Sequence, residues 1–170
     1  MSTTSEIVTV AAVMASAGTS AAVDLYMRRV PNPLTITAAV LGLVVAVTGV
    51  GRISLGGALA GFVMGLIVML PGHLFGGTGS GDVKLMAALG TWLGPSMIVK
   101  AFLYSAIAGG VFALIVAVRR RRLAATLRGA AQLVSAHAST KGTVEAADRD
   151  NRFPYAPAIA AGSVLAVLGL

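Results

Sequence analysis

Apolar residues fill this chain in six runs: Ile7–Val23, Leu34–Val50, Ile53–Leu70, Leu85–Val99, Ala101–Val118 and Tyr155–Leu170. A bilayer crossing needs about 20 such residues, with a range near 17–25, and several runs are short against that length. The fourth is the weakest, because Gly90, Gly94 and Pro95 fall inside it. The pattern predicts an all-α polytopic membrane helix bundle with about six transmembrane helices, five being the alternative count. A single domain over 1–170 accommodates them, with one polar loop at 119–154. In that loop Leu123, Leu127, Ala130 and Val134 share a helical face opposite Arg121, Arg128 and Gln132. This predicts a short helix lying on the headgroups over 119–137.

Composition agrees with a bilayer. Hydrophobic residues make up 56% and charged residues 11% of the 170, against about a quarter charged in an average soluble domain. Mean hydropathy is +0.87 and the isoelectric point near 10.9. A basic chain can also bind nucleic acid, but the apolar runs make the membrane surface the better explanation. There is no cysteine, which excludes disulfides, thiol catalysis and Cys-ligated zinc in this sequence. His73 and His137 lie too far apart to read as a metal motif.

Charge then sets the topology. The residues before the first run carry Glu6 and no Lys or Arg, unlike the positive start of a signal peptide. The positives Arg28 and Arg29 follow it instead, which favours an uncleaved span with its N-terminus outside. Segments 24–33, 71–84 and 119–154 then become cytoplasmic and hold 11 of the 13 Lys and Arg residues, leaving Arg52 and Lys100 outside. This is a strong positive-inside bias. It places Asp24 and Asp82 on one side of the membrane, although neither acid enters the count.

Those two acids carry the candidate chemistry. Asp24 closes the first run, where the helix dipole disfavours an anion and an acid near the apolar zone costs about 1–3 kcal/mol, depending on depth. The plain alternative is an ion pair with Arg28, four residues on. Asp82 stands in Gly79-Ser80-Gly81-Asp82-Val83-Lys84, where the plain alternative is an N-cap. Together they suit aspartic proteolysis, in which an ionised carboxylate takes a proton from water and a protonated one donates to the scissile carbonyl. Like charges close together keep one acid protonated. Gly79 and Gly81 would let an extended substrate reach Asp82. Lys84 snorkels to headgroups or tunes the acid, His73 reads as interfacial, Pro31 and Pro33 set the path of a turn, and Trp92 and Tyr104 are interfacial or packing aromatics.

Three passages resemble the type IV prepilin peptidases, small membrane aspartic proteases of the GxGD type. They are Asp24 followed by Arg28-Arg29-Val30-Pro31-Asn32-Pro33-Leu34-Thr35, then Phe75 through Leu85 with its Gly79-Ser80-Gly81-Asp82, and finally Phe153-Pro154-Tyr155-Ala156-Pro157-Ala158. The resemblance implies a catalytic pair at Asp24 and Asp82, with Gly79, Gly81, Lys84, Pro31 and Asn32 as motif residues around the substrate's approach. It implies no cofactor and no metal. The implied partners are a prepilin or pilin-like protein, whose basic leader is cut at the cytoplasmic face of a bacterial inner membrane, and a bilayer with anionic lipids. Larger members also methylate the new N-terminus and carry cysteine pairs; this chain resembles the short, peptidase-only form. Two rival readings exist. A small transporter or assembly subunit could use the acids to bind a cation or proton, which calls for acids nearer mid-membrane. A presenilin-like protease pairs GxGD with Tyr-Asp and Pro-Ala-Leu, but here Asp24 follows Val23 and Pro-Ala-Leu is absent.

The charge bias yields a direct prediction. Reporters fused after Arg29, within 71–84 or within 119–154 will read cytoplasmic, and fusions near Arg52 or at the C-terminus will read external. Opposite readings for the Asp24 and Asp82 segments would rule out a shared site.

Overall fold

The computed structural model of the protein describes residues 3–27, 30–74, 77–119 and 155–169. The helix expected over 119–137, the rest of the polar loop to 154, and Arg28 and Arg29 lie outside the described residues, except Arg119. Among the described residues there are five helices: α1 (Thr3–Met27), α2 (Asn32–Thr48), α3 (Leu55–Leu74), α4 (Ser80–Arg119) and α5 (Ala156–Leu168). Thr3–Met27, Leu55–Leu74 and Ser80–Ile115 are long and apolar enough to cross a membrane; Asn32–Thr48 and Ala156–Leu168 are shorter apolar helices.

Polar and apolar groups are arranged for lipid. Many large apolar side chains are exposed, among them Val40 and Val44 on α2, Val63 and Ile67 on α3, and Leu103 and Ile107 on α4. Buried positions include Thr9, Ser20, Thr91 and Ser105. Without water, a hydroxyl in the hydrocarbon must find a partner inside the protein. Thr9 donates to the Ser5 carbonyl at 2.9 Å, Ser20 to Ser16 at 2.7 Å and Ser105 to Ala101 at 2.6 Å. These bonds to the preceding turn satisfy the hydroxyl without disturbing the helix ladder.

The fourth and fifth runs of the sequence are not separated where Lys100 predicts. Lys100 sits inside α4, exposed, and the break falls earlier, at Gly94, with φ 74° and ψ 175°. Only glycine adopts that conformation freely, and the following Pro95 removes a backbone donor and disfavours helical geometry in the residue before it. Gly94 divides α4 into two arms that double back. Asp82 and Gly109 are 27 residues apart, about 40 Å along a straight helix. Yet the Tyr155 ring lies against Gly109, the next amide along meets Asp24, and Val30, six residues on from Asp24, packs against Gly81. The sequence misplaced the turn because a lone lysine looks like a loop, whereas an exposed lysine near a helix end can extend its stem along the apolar surface.

The first arm of α4 is the centre of the bundle. Residues Leu85 through Gly94 are all buried. Helix α3 runs antiparallel to it, with Gly61 facing Gly90 and Gly65 facing Met86 and Ala87. Here the two backbones touch, and a Cβ at either Gly61 or Gly90 would collide with the opposing carbonyl. In lipid, association rests on such close packing of small residues rather than on a hydrophobic driving force. Helix α2 lies along the same arm through Gly42, which faces Thr91 and Trp92, and Trp92 donates from Nε1 to the Ala38 carbonyl at 2.9 Å. Trp92 is therefore a buried packing residue. The second arm pairs with α5, where Gly162 packs on Ala101 and Ser105.

Gly90→Ala or Gly61→Ala will destabilise the fold by about 2 kcal/mol or more, because the obstacle is backbone and overpacking costs typically 1–3. Gly18→Ala, which meets nothing within 4 Å, will not. Thermal unfolding in detergent separates the two outcomes.

Candidate active site

The site begins with two acids placed at helix ends. Asp82 lies in the first turn of α4 and is 8% exposed; Asp24 lies in the last turn of α1 and is 4% exposed. Residues Asp24 to Met27 remain helical, and α3 continues through Pro71 to Leu74, so the loops are shorter than charge alone suggests.

Asp82 does cap α4, but not from the N-cap position. Its carboxylate reaches back to accept the Gly79 N–H at 3.1 Å, and its own N–H donates to the Gly79 carbonyl at 3.1 Å. This is the acidic half of a capping box, placed three residues inside the helix. A Cβ at Gly79 would stand 3.1 Å from the carboxylate oxygen, so any larger residue there would push the Asp82 side chain by a few tenths of an ångström. Gly81 serves a different neighbour from the one the sequence suggests. Its open face is filled by Val30, whose Cβ and carbonyl oxygen would lie 3.2 Å from an added Cβ. The α1–α2 connection thus packs directly beside Asp82.

The Pro-Asn element joins the same place. Pro31 is the N-cap of α2, and its carbonyl accepts from Leu34 and Thr35 at 3.2 and 3.4 Å. Asn32, next in line, accepts a hydrogen bond from the Lys84 ammonium at 2.9 Å. Lys84 thereby ties the two motifs together. On the other side, the Gly72 carbonyl accepts from Gly77 and Thr78 at 2.8 and 3.2 Å, and His73 Nδ1 lies 3.0 Å from the Thr78 carbonyl. A carbonyl only accepts, so that nitrogen is the protonated one in this contact. His73 thus fastens the loop leading into Asp82 to the end of α3.

Asp24 has a partner that no sequence motif announces. Its Oδ2 accepts the backbone N–H of Ala156 at 3.2 Å, in a buried contact across 132 positions. Asp24 therefore caps α5 from another helix. The neighbouring Tyr155 precedes the first residue of α5. Asp24 thus holds the Ala156 end of this dipeptide, while Val30, six residues after Asp24, packs on Gly81 next to Asp82. The sequence did mark this stretch through Pro154-Tyr155-Ala156-Pro157, but a backbone donor leaves no signature in side-chain identity. Among the described residues, no three His, Cys, Asp or Glu side chains gather as a metal site would need.

Capping separates structure from chemistry at both acids. Asn keeps an acceptor oxygen, so Asp24→Asn and Asp82→Asn will stay within about 0.5 kcal/mol of the parent, whereas Asp24→Ala and Asp82→Ala will each lose about 1 kcal/mol. Unfolding of the four variants in detergent checks this, and equal losses for Asn and Ala would show that the caps contribute nothing.

Comparison with known proteins fits this arrangement. Bacillus subtilis (strain 168) has a protein named prepilin leader peptidase/N-methyltransferase that is 33% identical over 112 residues, covering 66% of this chain and 34% of that relative. Proteins of the same name from Burkholderia pseudomallei (strain 1026b) and Aeromonas salmonicida (strain A449) are each 34% identical, over 108 and 99 residues, covering 59% and 54% of this chain and 34% of each relative. The chain spans about a third of the length of these curated relatives. No solved structure matches. The type IV leader peptidase family matches residues 11–114, a stretch that contains both Asp24 and Asp82, and the chain belongs to that family.

Proposed function

We propose that this protein is a membrane aspartic endopeptidase that removes the basic leader from prepilins or pilin-like proteins, with Asp24 and Asp82 as its catalytic pair. The observation that carries the reading is the burial of two carboxylates at helix ends that one short connection links, Asp24 holding the Ala156 N–H and Val30, six residues on, packing on Gly81 beside Asp82. The relatives' shared name supports the leader as substrate. In the proposed reaction the ionised member of the pair takes a proton from water. The water oxygen attacks the scissile carbonyl carbon while the protonated member donates its proton to the carbonyl oxygen. Collapse of the resulting diol breaks the C–N bond as a diol hydroxyl returns its proton to the ionised member, and the proton taken from water passes to the leaving amine. The pair ends with one proton, as it began.

The proposal extends to placement. The arms alternate in direction, so the ends of α1 and α3 and the starts of α2, the first arm and α5 gather on one side. Six passes with the N-terminus outside, in a bacterial plasma membrane, put that side in the cytoplasm, where a leader begins. Anionic lipids would hold the basic segments there. The acids' positions in terminal turns favour cleavage at a membrane boundary over a cation path through mid-membrane, where the transporter reading needs them.

Asp24→Asn and Asp82→Asn will each reduce leader cleavage by at least about 100-fold, the lower range for losing a general acid or base. Coexpression with a prepilin, scored as precursor and mature bands, reads this. Full processing by either variant would remove the acids from the reaction.

A further inference from the structure

Tyr155 shapes the donor that meets Asp24. In the first turn of α5, Pro157 has no N–H, and the amides of Ala158 and Ile159 both turn back to the Tyr155 carbonyl at 3.0 and 3.1 Å. The Ala156 N–H alone is directed outward to a carboxylate. The Tyr155 backbone is helical, with φ −90° and ψ −19°, and its side chain makes no capping bond. What fixes it is the second arm of α4. The Tyr155 hydroxyl donates to the Ser105 carbonyl at 3.3 Å, and its ring covers Gly109, where an added Cβ would come within 2.5 Å of Cε2. Ser105 is fully buried and held in turn against Gly162. The hydroxyl is engaged by a backbone carbonyl, so it serves as a fixed donor.

We infer that Tyr155 is a positioning residue, whose anchorage on the second arm sets the Ala156 N–H against Asp24 and so fixes the spacing of the carboxylate pair. The inference rests on Asp24 and Asp82 being the cleaving pair. It assigns to Tyr155 no contact with the leader. Loosening Tyr155 lets the start of α5 shift, and Asp24 shifts with it. A misplacement of about 1 Å can cost 100-fold in rate.

The test is kcat, KM and the unfolding midpoint of purified full-length protein cleaving a prepilin in liposomes. Tyr155→Phe keeps the ring and loses one hydrogen bond, so kcat will fall about two- to fivefold. Tyr155→Ala loses both anchors, and Gly109→Ala displaces the ring without altering Tyr155; each will lower kcat about 10- to 100-fold. In all three KM will stay within about twofold, since a positioning loss removes transition-state stabilisation alone. Partial rescue by Phe relative to Ala is expected. A raised KM with unchanged kcat would mean that Tyr155 touches the leader and would overturn the inference. So would losses that track only the folded fraction, or parental kcat in Tyr155→Ala. Tyr155→Phe keeps the question open to refutation if Gly109→Ala fails to fold. Parental cleavage by Asp24→Asn would instead defeat the underlying reading of the acids; an inactive Asp24→Asn beside a fully active Tyr155→Ala would defeat only the role of Tyr155.

Discussion

The hydrogen bond from the Ala156 amide to Asp24 joins the end of the first helix to the start of the last. Much else depends on it. An acid in the final turn of a helix faces the negative end of that helix's dipole, and in a bilayer it has little water to compensate. The N-terminus of α5 supplies what α1 cannot. The same contact gives α5 a cap that its own sequence lacks, because Tyr155 makes no side-chain cap. A carboxylate that is costly in isolation becomes the fastening of a bundle.

The central arm of α4 sets the other half of the site. Its burial on every side means that Asp82 cannot tilt or slide without moving α2 and α3. Backbone contact at Gly61–Gly90 and Gly65–Met86 fixes its height against α3, and Trp92 fixes its rotation against α2. Around its first turn, Val30 fills the face of Gly81, Lys84 holds Asn32, and the Thr78 carbonyl meets His73. The glycines of the motif thus have structural work before any substrate arrives. Residues that read as separate motifs form one junction in space.

Much of this was legible in the sequence, and the rest was hidden for identifiable reasons. Apolar runs located the helices, and Asp82 after Gly79 and Gly81 marked a helix start. Its reach back to Gly79 was not visible, since N-cap and third-position acids produce similar strings. The turn at Gly94 was passed over in favour of Lys100, because charge is a stronger linear signal than a glycine–proline pair within an apolar run. Lys84 looked like a snorkelling side chain; its bond to Asn32 joins positions 52 apart and has no local trace. Asp24 looked like an isolated acid because its partner is a backbone amide.

Cleavage by the proposed pair requires Asp24 and Asp82 to meet at one site. With no cysteine in the sequence, the paired substitution Asp24→Cys and Asp82→Cys can be treated in membranes with a short bismaleimide and the product weighed intact. A shared site gives a bridged monomer in high yield, with neither single variant bridging. If each single variant takes up a monofunctional maleimide while the pair never bridges, the two positions do not share a site and the claim is wrong.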